Sequence, residues 1–295
     1  MAKIVVITGA AGGIGLATVL ELARAGFEVI GTARTGQSAE TVRRAAEDEG
    51  LKVRTVVCDV TDAGQTAEAF DRIAAMTGGG PWAVVNNAGF AQPGAVEDVG
   101  DELVREQLEV NLVAPARISR LVLPAMRERG DGRIVNISSM SGVITAPFLA
   151  WYCASKHGLE ALSDALRMEV AGFGIKVVLI EPGSFGTGIW ERALRTLPDA
   201  EKSAYAKAYR MIDEIQARAG QLPPPTPVAR TVRKALESSR PHSRYIVGRD
   251  ALAAIRLEGV VPTALKDYGK RLGMGLATPP SPLAGLLDRV VYRHG

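Results

Sequence analysis

Hydrophobic and polar residues follow two different periods along the chain, and the two periods alternate. Seven short runs rich in β-branched residues have strand length, and they cover residues 4–8, 28–32, 52–58, 83–86, 133–138, 175–181 and 244–247. Longer amphipathic stretches between them predict helices over residues 13–25, 38–49, 63–77, 101–129, 151–173 and 226–239. Strands that alternate with such helices form a parallel sheet through right-handed crossovers. We therefore predict an α/β fold, a doubly wound, parallel, seven-stranded Rossmann sheet with helices on both faces.

The regular alternation ends after the sixth predicted strand. Residues 186–226 are mostly helical in pattern and close on a proline-rich stretch of extended chain, which predicts a helical substrate lid. An insertion at this point lies at the carboxyl edge of the sheet, where ligands bind. We expect residues 1–250 to form one Rossmann-type domain and residues 251–295 to form a C-terminal helical extension packed on it.

Composition and charge argue against several classes of protein. The net charge is +3 and the basic residues are scattered, so nucleic-acid binding is not expected. Cys58 and Cys153 have no neighbours at metal-ligand spacing, which predicts reduced thiols and no metal site. Neither a signal-like segment nor an apolar run of about 18 residues is found. We therefore expect no transmembrane segment and a cytoplasmic protein.

A glycine-rich turn follows the first predicted strand and opens the first predicted helix. In the segment Gly9-x-x-x-Gly13-Ile14-Gly15, Gly9 permits the tight turn and Gly13 permits close approach of a pyrophosphate, while Gly15 permits close helix packing. The N-terminus of the helix then faces the anion. The same glycines also occur in turns that are merely flexible. Their place after the first strand of an alternating chain favours a dinucleotide site.

The end of the second predicted strand indicates which dinucleotide is bound. An acidic residue here would hold the ribose 2′-hydroxyl of NAD(H) and repel a 2′-phosphate. This chain has Ala33 in that position, followed by Arg34, whose guanidinium could accept the phosphate. The sequence therefore favours NADP(H) over NAD(H). The alternative is that Arg34 is an ordinary solvated charge at the end of a strand.

Candidate catalytic chemistry lies on the fifth predicted helix. Tyr152 and Lys156 are four residues apart and share one helix face, thirteen residues after Ser139. A phenol has a pKa of about 10, and a neighbouring cation lowers it toward the range that proton transfer requires. Tyr152 is thus predicted to exchange a proton with a substrate oxygen that Ser139 also hydrogen-bonds. Ser138 is a competing candidate, but the thirteen-residue interval favours Ser139.

Asn111 is the fourth candidate catalytic residue. It lies within the helical pattern of residues 101–129, where an amide disturbs the backbone and can hold a water that relays protons from Lys156. Taken singly, each candidate has an ordinary explanation as a loop cap, a buried amide, a rim aromatic or a solvated charge. Their joint occurrence favours a site.

The motifs together carry a resemblance to a known family. They are Thr8-Gly9-x-x-x-Gly13-Ile14-Gly15, Asn86-Asn87-Ala88-Gly89, Asn111, Ser139, Tyr152-x-x-x-Lys156 and Pro182-Gly183. In this order the chain resembles the classical short-chain dehydrogenases/reductases over about residues 3–250. Within that family it is most similar to the 17β-hydroxysteroid and retinol dehydrogenase-like members. The resemblance implies an oxidoreductase that acts on CH–OH groups with NAD(P).

The resemblance also implies roles for individual residues. Asn111, Ser139, Tyr152 and Lys156 would form a catalytic tetrad, Asp59 would contact the adenine, and Thr187 would hold the nicotinamide carboxamide. The full implied cofactor set is Gly9, Gly13, Ile14, Gly15, Arg34, Asp59, Val60, Asn87, Ala88, Gly89, Tyr152, Lys156, Pro182, Gly183, Phe185 and Thr187.

The segments expected to meet substrate are apolar. Residues 141–151 and 186–221 carry Phe148 and Trp190, and Phe185 adjoins the second range; we predict that these three side chains contact substrate together with Ser139 and Tyr152. Such a lining suits a hydrophobic secondary alcohol, ketone or aldehyde of steroid, retinoid or lipid type. Several of these apolar side chains could instead fill the core of the lid.

Three functional hypotheses remain open. The favoured one is an NADP(H)-dependent oxidoreductase of hydrophobic carbonyls. The second is a 3-oxoacyl thioester reductase, against which the bulky lid and the extension argue. The third is a non-catalytic nucleotide-sensing protein, although such a protein would not need Tyr152 and Lys156. The family resemblance also implies a homodimer or homotetramer, built partly on helices 101–129 and 151–173.

Overall fold

The computed structural model describes residues 3–189, 193, 195–217 and 222–277. Seven parallel strands form one sheet in the order β3-β2-β1-β4-β5-β6-β7. They are β1 Ile4–Ile7, β2 Glu28–Ala33, β3 Arg54–Val57, β4 Ala83–Asn86, β5 Gly132–Ile137, β6 Ile175–Pro182 and β7 Arg244–Val247. The predicted doubly wound α/β fold is confirmed, and each predicted strand lies within two residues of its observed bounds.

The sheet is buried on both faces because its strands are nearly continuous apolar runs. In β1, Val5, Val6 and Ile7 are fully buried, and alternate residues point to opposite faces. Val5 and Ile7 belong to the core on one face, and Val6 belongs to the core on the other. A strand with one polar face could not occupy this central position.

Helices cover both faces of the sheet. Those described are α1 Gly13–Arg24, α2 Gly36–Glu47, α3 Ala63–Thr77, α4 Asp101–Leu108, α5 Ala114–Arg129, α6 Ala150–Glu169, α7 Ala206–Ala217, α8 Thr226–Glu237, α9 Arg249–Val260 and α10 Thr263–Gly273. The predicted single helix over residues 101–129 is interrupted by a π-helical turn at Glu109–Val113. This turn contains Asn111, the residue at which the sequence suggested a disturbed backbone.

The order of the strands creates the binding crevice. β1 pairs with β2 on one side and with β4 on the other, so the chain reverses direction across the sheet at β1. In open parallel sheets, ligands bind beyond the carboxyl ends of strands at such a switch point. The glycine turn, the end of β4 and the end of β5 all leave the sheet here.

The chain after β6 packs over this edge and against the loops around it. A small apolar cluster joins Phe148 to Ala208, Tyr209 and Ile212 of α7. Leu276, just after α10, also packs on this cluster. Among the described residues, no helix is both long and apolar enough to cross a membrane. The division into a domain, a lid and an extension stays a prediction.

Candidate active site

A cleft of about 940 Å³ opens at the carboxyl edge of the sheet, and most of the predicted site residues line it. Lining residues from the predicted set are Gly9, Gly13, Ile14, Arg34, Asp59, Val60, Asn87, Ala88, Gly89, Ser139, Tyr152, Lys156, Pro182, Gly183, Phe185 and Thr187. Residues as far apart in the chain as Gly9 and Thr187 therefore meet in one space. Gly15 and Asn111 are not part of the lining, and Trp190 lies outside the described residues.

The glycine turn leaves no room for side chains at Gly13 and Gly15. Gly13 has a φ of +51°, and a Cβ added there would lie 2.7 Å from the carbonyl oxygen of Thr187. A Cβ on Gly15 would lie 2.3 Å from the carbonyl oxygen of Gly9. Gly13 thus brings the turn against the segment after β6, and Gly15 lets α1 approach the turn from behind. A bare backbone of this kind can approach a pyrophosphate closely.

Polar side chains fasten the glycine turn to the end of β4. The Asn87 amide donates to the carbonyl oxygens of Thr8 at 2.8 Å and Gly9 at 3.1 Å. In return, the Thr8 hydroxyl accepts hydrogen bonds from the backbone N–H groups of Asn87 and Ala88, both at 3.0 Å. These four hydrogen bonds join the two loops and fix the shape of the cleft between them.

The end of β2 forms the wall at which a nucleotide 2′-group would lie. Ala33, Arg34 and Ser38 line the cleft here, and the N-terminus of α2 begins at Gly36 beside them. Thr35 caps this helix by accepting a hydrogen bond from the Ser38 backbone N–H at 3.2 Å. A helix N-terminus carries partial positive charge. Ser38 was missed by the sequence analysis because a serine in the first turn of a helix is an ordinary sequence feature.

The wall just beyond the end of β3 contains Asp59 and Val60, which the family resemblance predicts to lie beside the adenine. The Asp59 carboxylate accepts hydrogen bonds from the Thr61 backbone N–H at 3.0 Å and from the Thr61 hydroxyl at 2.8 Å. One side-chain oxygen is thereby engaged in a local turn, so the direction of the carboxylate is fixed.

The last residue of β6, Pro182, and the segment after it, with Gly183, Phe185 and Thr187, close the opposite side of the cleft. Asp250 at the start of α9 holds this segment, since its Oδ2 accepts a hydrogen bond from the Ser184 backbone N–H at 2.7 Å. A Cβ on Gly183 would lie 2.3 Å from the same carboxylate. The sequence gives no local signal for this role of Asp250, because its partner lies 66 residues away.

Ser139 and Tyr152 meet at the inner end of the cleft. The Tyr152 phenol is buried and hydrogen-bonded to the Ser139 hydroxyl, which also accepts from the Ser141 backbone N–H at 3.1 Å. Burial raises the pKa of Tyr152 to about 12, which is opposite to the lowering that the sequence predicted, and the hydrogen bond with Ser139 opposes that rise. In this environment the phenol is held protonated at neutral pH, as a proton donor requires.

Lys156 lies one helical turn beyond Tyr152, with its Nζ 5.9 Å from the centre of the phenol ring. The ammonium is buried and donates to the carbonyl oxygen of Ile137, at the end of β5, at 2.8 Å. Burial lowers the pKa of Lys156 to about 8, while the negative charge of Glu160 opposes the shift. The side chains of Lys156 and Tyr152 therefore line the same part of the cleft, as their spacing predicted.

Asn111 lies directly behind this pair, and its side chain is fully engaged with protein atoms. Its amide nitrogen donates to the Phe90 carbonyl oxygen and to the Ser155 hydroxyl, both at 3.0 Å. Its amide oxygen accepts from the Phe90 backbone N–H at 3.1 Å. The side chain thus ties the loop after β4 to α6, and it does not face the cleft.

An apolar wall adjoins Tyr152. It is formed by Met140, Ile144, Ala146, Leu149, Phe185 and Ile189. The prediction that Phe148 contacts substrate is not supported by its position, because its ring packs between Tyr205 and Tyr209 at centroid distances of 5.6 and 5.4 Å. Phe148 adopts a left-handed backbone with φ of +63°, which turns its side chain toward α7. In the sequence, Phe148 looked equivalent to its apolar neighbours.

The residues present fit a nicotinamide dinucleotide. The space at Gly13, which a Cβ would fill, and the helix N-terminus behind it match a pyrophosphate. The buried Lys156 ammonium at the far end of the cleft matches a ribose. Fold and site together define a dinucleotide-dependent α/β oxidoreductase.

The comparison with known families agrees with this class. A model of the short chain dehydrogenase family matches residues 3–197, so the chain belongs to that family. It is an oxidoreductase that acts on alcohols and carbonyls, and the family uses a nicotinamide cofactor.

Several relatives are similar over most of their length. The oxidoreductase YusZ of Bacillus subtilis is 36% identical, with 88% of this chain and 94% of that protein covered. Bovine (Bos taurus) 17-beta-hydroxysteroid dehydrogenase type 6 is 35% identical, with 90% and 87% covered. Mouse (Mus musculus) retinol dehydrogenase 16 is 31% identical, with 90% and 86% covered. The predicted nearness to these members of the family is confirmed.

Solved structures are also similar to this chain in fold and in sequence. A short-chain dehydrogenase from Streptomyces avermitilis has a TM-score of 0.75 at 32% identity, covering 94% of this chain and 99% of that one. An actinorhodin polyketide ketoreductase variant with NADPH has a TM-score of 0.72 at 29% identity, covering 85% and 96%.

Proposed function

We propose that the protein interconverts a hydrophobic secondary alcohol and the corresponding ketone or aldehyde with NADP(H), using Tyr152 as the proton donor or acceptor. The observation that carries this proposal is the convergence of Ser139, Tyr152 and Lys156 at the inner end of the glycine-lined cleft. Two segments of chain supply these groups, the turn after β5 and helix α6, and the fold brings both to the glycine turn that follows β1.

Each of the three residues has a distinct task in the proposed reaction. The bound nicotinamide would supply or accept the hydride. Reduction leaves negative charge on the substrate oxygen, to which Tyr152 gives its proton and Ser139 gives a hydrogen bond. The Lys156 ammonium stabilises the phenolate that remains, because an opposite charge nearby favours the ionised form. Asn111 holds the loop after β4 against α6, and so keeps Lys156 in place.

The preference for NADP(H) is part of the same proposal. No carboxylate lies at Ala33, while Arg34, Ser38 and the N-terminus of α2 together offer donors and positive charge to a 2′-phosphate. The similar ketoreductase is described with NADPH, which agrees with this preference.

The apolar wall beside Tyr152 supports a steroid-, retinoid- or lipid-like substrate. Relatives named for 17β-hydroxysteroid and retinol dehydrogenation are consistent with such a substrate. The similarity to a polyketide ketoreductase keeps a 3-oxoacyl thioester as the second candidate. A panel of steroid, retinoid, aliphatic and 3-oxoacyl carbonyls separates the two.

We also propose a homodimer or homotetramer. Four exposed apolar side chains, Val113, Leu121, Met168 and Phe173, lie on or beside α5 and α6, the helices expected to form the interface. Light scattering coupled to size-exclusion chromatography measures the assembly, and a monomer at working concentration would refute this part of the proposal.

Tyr152→Phe tests the mechanism. It should reduce NADPH turnover on the best substrate of the panel by about a thousandfold or more, since it removes the transferred proton but keeps the ring. NADPH binding, followed by fluorescence, should change little. An unchanged rate would refute the mechanism.

Arg34→Ala tests the cofactor preference. The Kd for NADPH should rise by about tenfold, while the Kd for NADH stays the same, because only NADPH carries the 2′-phosphate. Arg24→Ala is the control, because Arg24 is an exposed charge at the C-terminal end of α1 that pairs with Glu49. Equal effects on both cofactors would contradict the assignment.

A further inference from the structure

Helix α6 carries an ionisable residue at every fourth position from Tyr152 to Asp164. Tyr152 and Lys156 are followed by Glu160 and Asp164, and this spacing places consecutive members on neighbouring turns of one helix side. The first two residues line the cleft. The next two lie beneath it, and the proposed reaction gives them no task.

Arg244, at the start of β7, joins these carboxylates to a third one. Its Nε donates to Glu160 Oε2 at 3.0 Å, and its Nη2 donates to Asp164 Oδ2 at 2.7 Å. Glu181 Oε1, on β6, lies 3.2 Å from the same Nε. The Glu160 and Glu181 side chains are only 9% and 2% exposed. The Arg244 guanidinium therefore lies within ion-pair distance of three carboxyl groups, two of which are buried.

The buried carboxyls are not equivalent. Arg244 Nε has a single hydrogen, which is directed at Glu160, so Glu181 Oε1 receives no hydrogen bond from it. Burial and then the charge of Glu160 raise the pKa of Glu181 to about 7. Burial also raises the pKa of Glu160, but the nearby Ser138 hydroxyl and Arg244 oppose that rise. Glu160 is thus the carboxyl that these contacts favour in its charged form.

Glu160 also reaches the turn that carries Ser139. A Cβ on Gly142 would lie 2.9 Å from Glu160 Cγ, 3.2 Å from Glu160 Oε1 and 2.8 Å from Ser138 Oγ. The Glu160 side chain therefore lies directly under the turn Met140–Gly142, beside the serine that precedes Ser139. One side chain borders the Ser139 turn on one side and the Lys156 turn of α6 on the other.

We propose that Glu160, held by Arg244, is a positioning residue for the reaction: its carboxylate is the counter-charge of the buried Lys156 ammonium and supports the Ser139 turn. This inference rests on the proposed function for its catalytic meaning. The physical coupling between Glu160 and Lys156 follows from their placement alone. A buried ammonium that donates to a neutral backbone carbonyl costs free energy, and a nearby carboxylate offsets part of that cost.

Charged and polar groups face Lys156 and Glu160 from α6 itself and from the strands packed against it. Lys156 faces Tyr152 and Glu160 on α6 and the Ile137 carbonyl on β5. Glu160 faces Lys156 and Asp164 on α6, Glu181 on β6 and Arg244 on β7. Arg167 pairs with Asp164 at 2.5 Å, at the exposed end of the row.

The decisive measurement is the pKa of Lys156 in the whole protein. Carbon-13 labelled lysine gives one Cε signal per lysine, and Lys156→Met identifies the signal of interest. Glu160→Gln should lower the pKa of Lys156 by about one unit, because it removes the nearest opposite charge and keeps the shape. The alkaline fall in the rate of carbonyl reduction should move to lower pH by the same amount, with a smaller effect on KM.

Asp164→Asn is the matched control. Asp164 also pairs with Arg244, but it lies one turn further along α6 from Lys156 than Glu160 does. Removing its charge should therefore move the pKa of Lys156 by less than about 0.3 unit. Glu160→Asp keeps the charge and should restore most of the wild-type pKa. An unchanged pKa in Glu160→Gln, or an equal shift in Asp164→Asn, would overturn the proposal.

Two further outcomes are distinguishable. If wild-type protein reduces no carbonyl in the panel, the proposed function fails, yet the lysine titration still reports the coupling. If Glu160→Gln does not fold, the double variant Glu160→Gln/Arg244→Met leaves no unpaired guanidinium and should show the same downward shift. A pKa that stays at the wild-type value in the double variant would refute the proposal.

Discussion

The two walls of the cleft are built in different ways. The cofactor wall, formed by the glycine turn and the loop after β4, is shaped by backbone atoms, as when Gly13 meets the Thr187 carbonyl. The apolar wall beside Tyr152 is shaped by side chains. Behind it, Tyr209 of α7 accepts a hydrogen bond from the Ala95 backbone N–H at 2.8 Å and donates to Asp98 Oδ2 at 2.7 Å.

This difference explains how proteins of one fold can keep the same cofactor while they act on different substrates. A wall of backbone atoms depends on a few glycines and hydrogen-bonding side chains, so it is preserved as long as those remain. A wall of side chains changes with each apolar substitution, because size and shape are set residue by residue. We expect substitutions in the first wall to affect cofactor binding and those in the second to affect KM for the carbonyl.

Breaking the cofactor wall should have the largest effect. Gly13→Ala places a Cβ 2.7 Å from the Thr187 carbonyl oxygen at a left-handed backbone position. The Kd for NADPH should rise by at least about tenfold, because both the turn and the segment after β6 must shift. Fluorescence titration measures it.

The control for Gly13→Ala is Gly64→Ala in the first turn of α3. An added Cβ there meets only Asp62 Oδ1, at 3.4 Å, so NADPH affinity should not change. Equal affinities for wild type and Gly13→Ala would show that the turn adapts more easily than its geometry implies.

Loosening the apolar wall should have a smaller and different effect. Tyr209→Phe leaves the buried Ala95 N–H without its acceptor, and the free energy of unfolding should fall by about 1–2 kcal/mol. KM for the carbonyl should rise several-fold, since α7 supports the loop that carries Ile144 and Leu149. The Kd for NADPH should not change.

Tyr205→Phe is the control for the apolar wall. Its ring also contacts Phe148, but its hydroxyl bonds Glu97 at an exposed position, so both effects should be weaker. A change in NADPH affinity in Tyr209→Phe would contradict the separation of the two walls.

The smallest expected effect is the pH dependence of stability that comes from the buried carboxyl of Glu181. Because the pKa of Glu181 is raised from 4.5 to about 7, the folded protein holds a proton that the unfolded chain releases in this interval. The stability from Glu181 is therefore complete below pH 4.5 and is lost as pH rises through 7. Wild type should lose thermal stability from pH 5 to pH 7, and Glu181→Gln should lose less. Parallel melting curves for the two proteins would refute this assignment.

The elements of the fold were predictable because they depend on local pattern. Buried parallel strands are short apolar runs, and the crossover rules then leave few topologies. The π turn at Glu109–Val113 was not predicted, since one additional residue per turn does not alter the apolar spacing enough to be noticed. Asn111 gave the one sequence signal of a disturbance there.

The site was predictable where function depends on residue type and spacing, as for Tyr152 and Lys156. It was not predictable where partners are distant in the chain. Asp250 supports the segment after β6, and Arg244 supports Glu160, across separations of 66 and 84 residues. Phe148 was predicted to contact substrate from its apolar type, whereas its ring packs against Tyr205 and Tyr209, because residue type alone does not say which way a side chain points.

The sequence by itself determined the seven strands, the glycine turn and the helix that carries Tyr152 and Lys156, because each depends on residues within a few positions of one another. Only the tertiary structure decided which charges surround Lys156 and which apolar side chains line the cleft. Those contacts join separate segments, and their distances are set by how helices pack on the sheet, which no local spacing encodes.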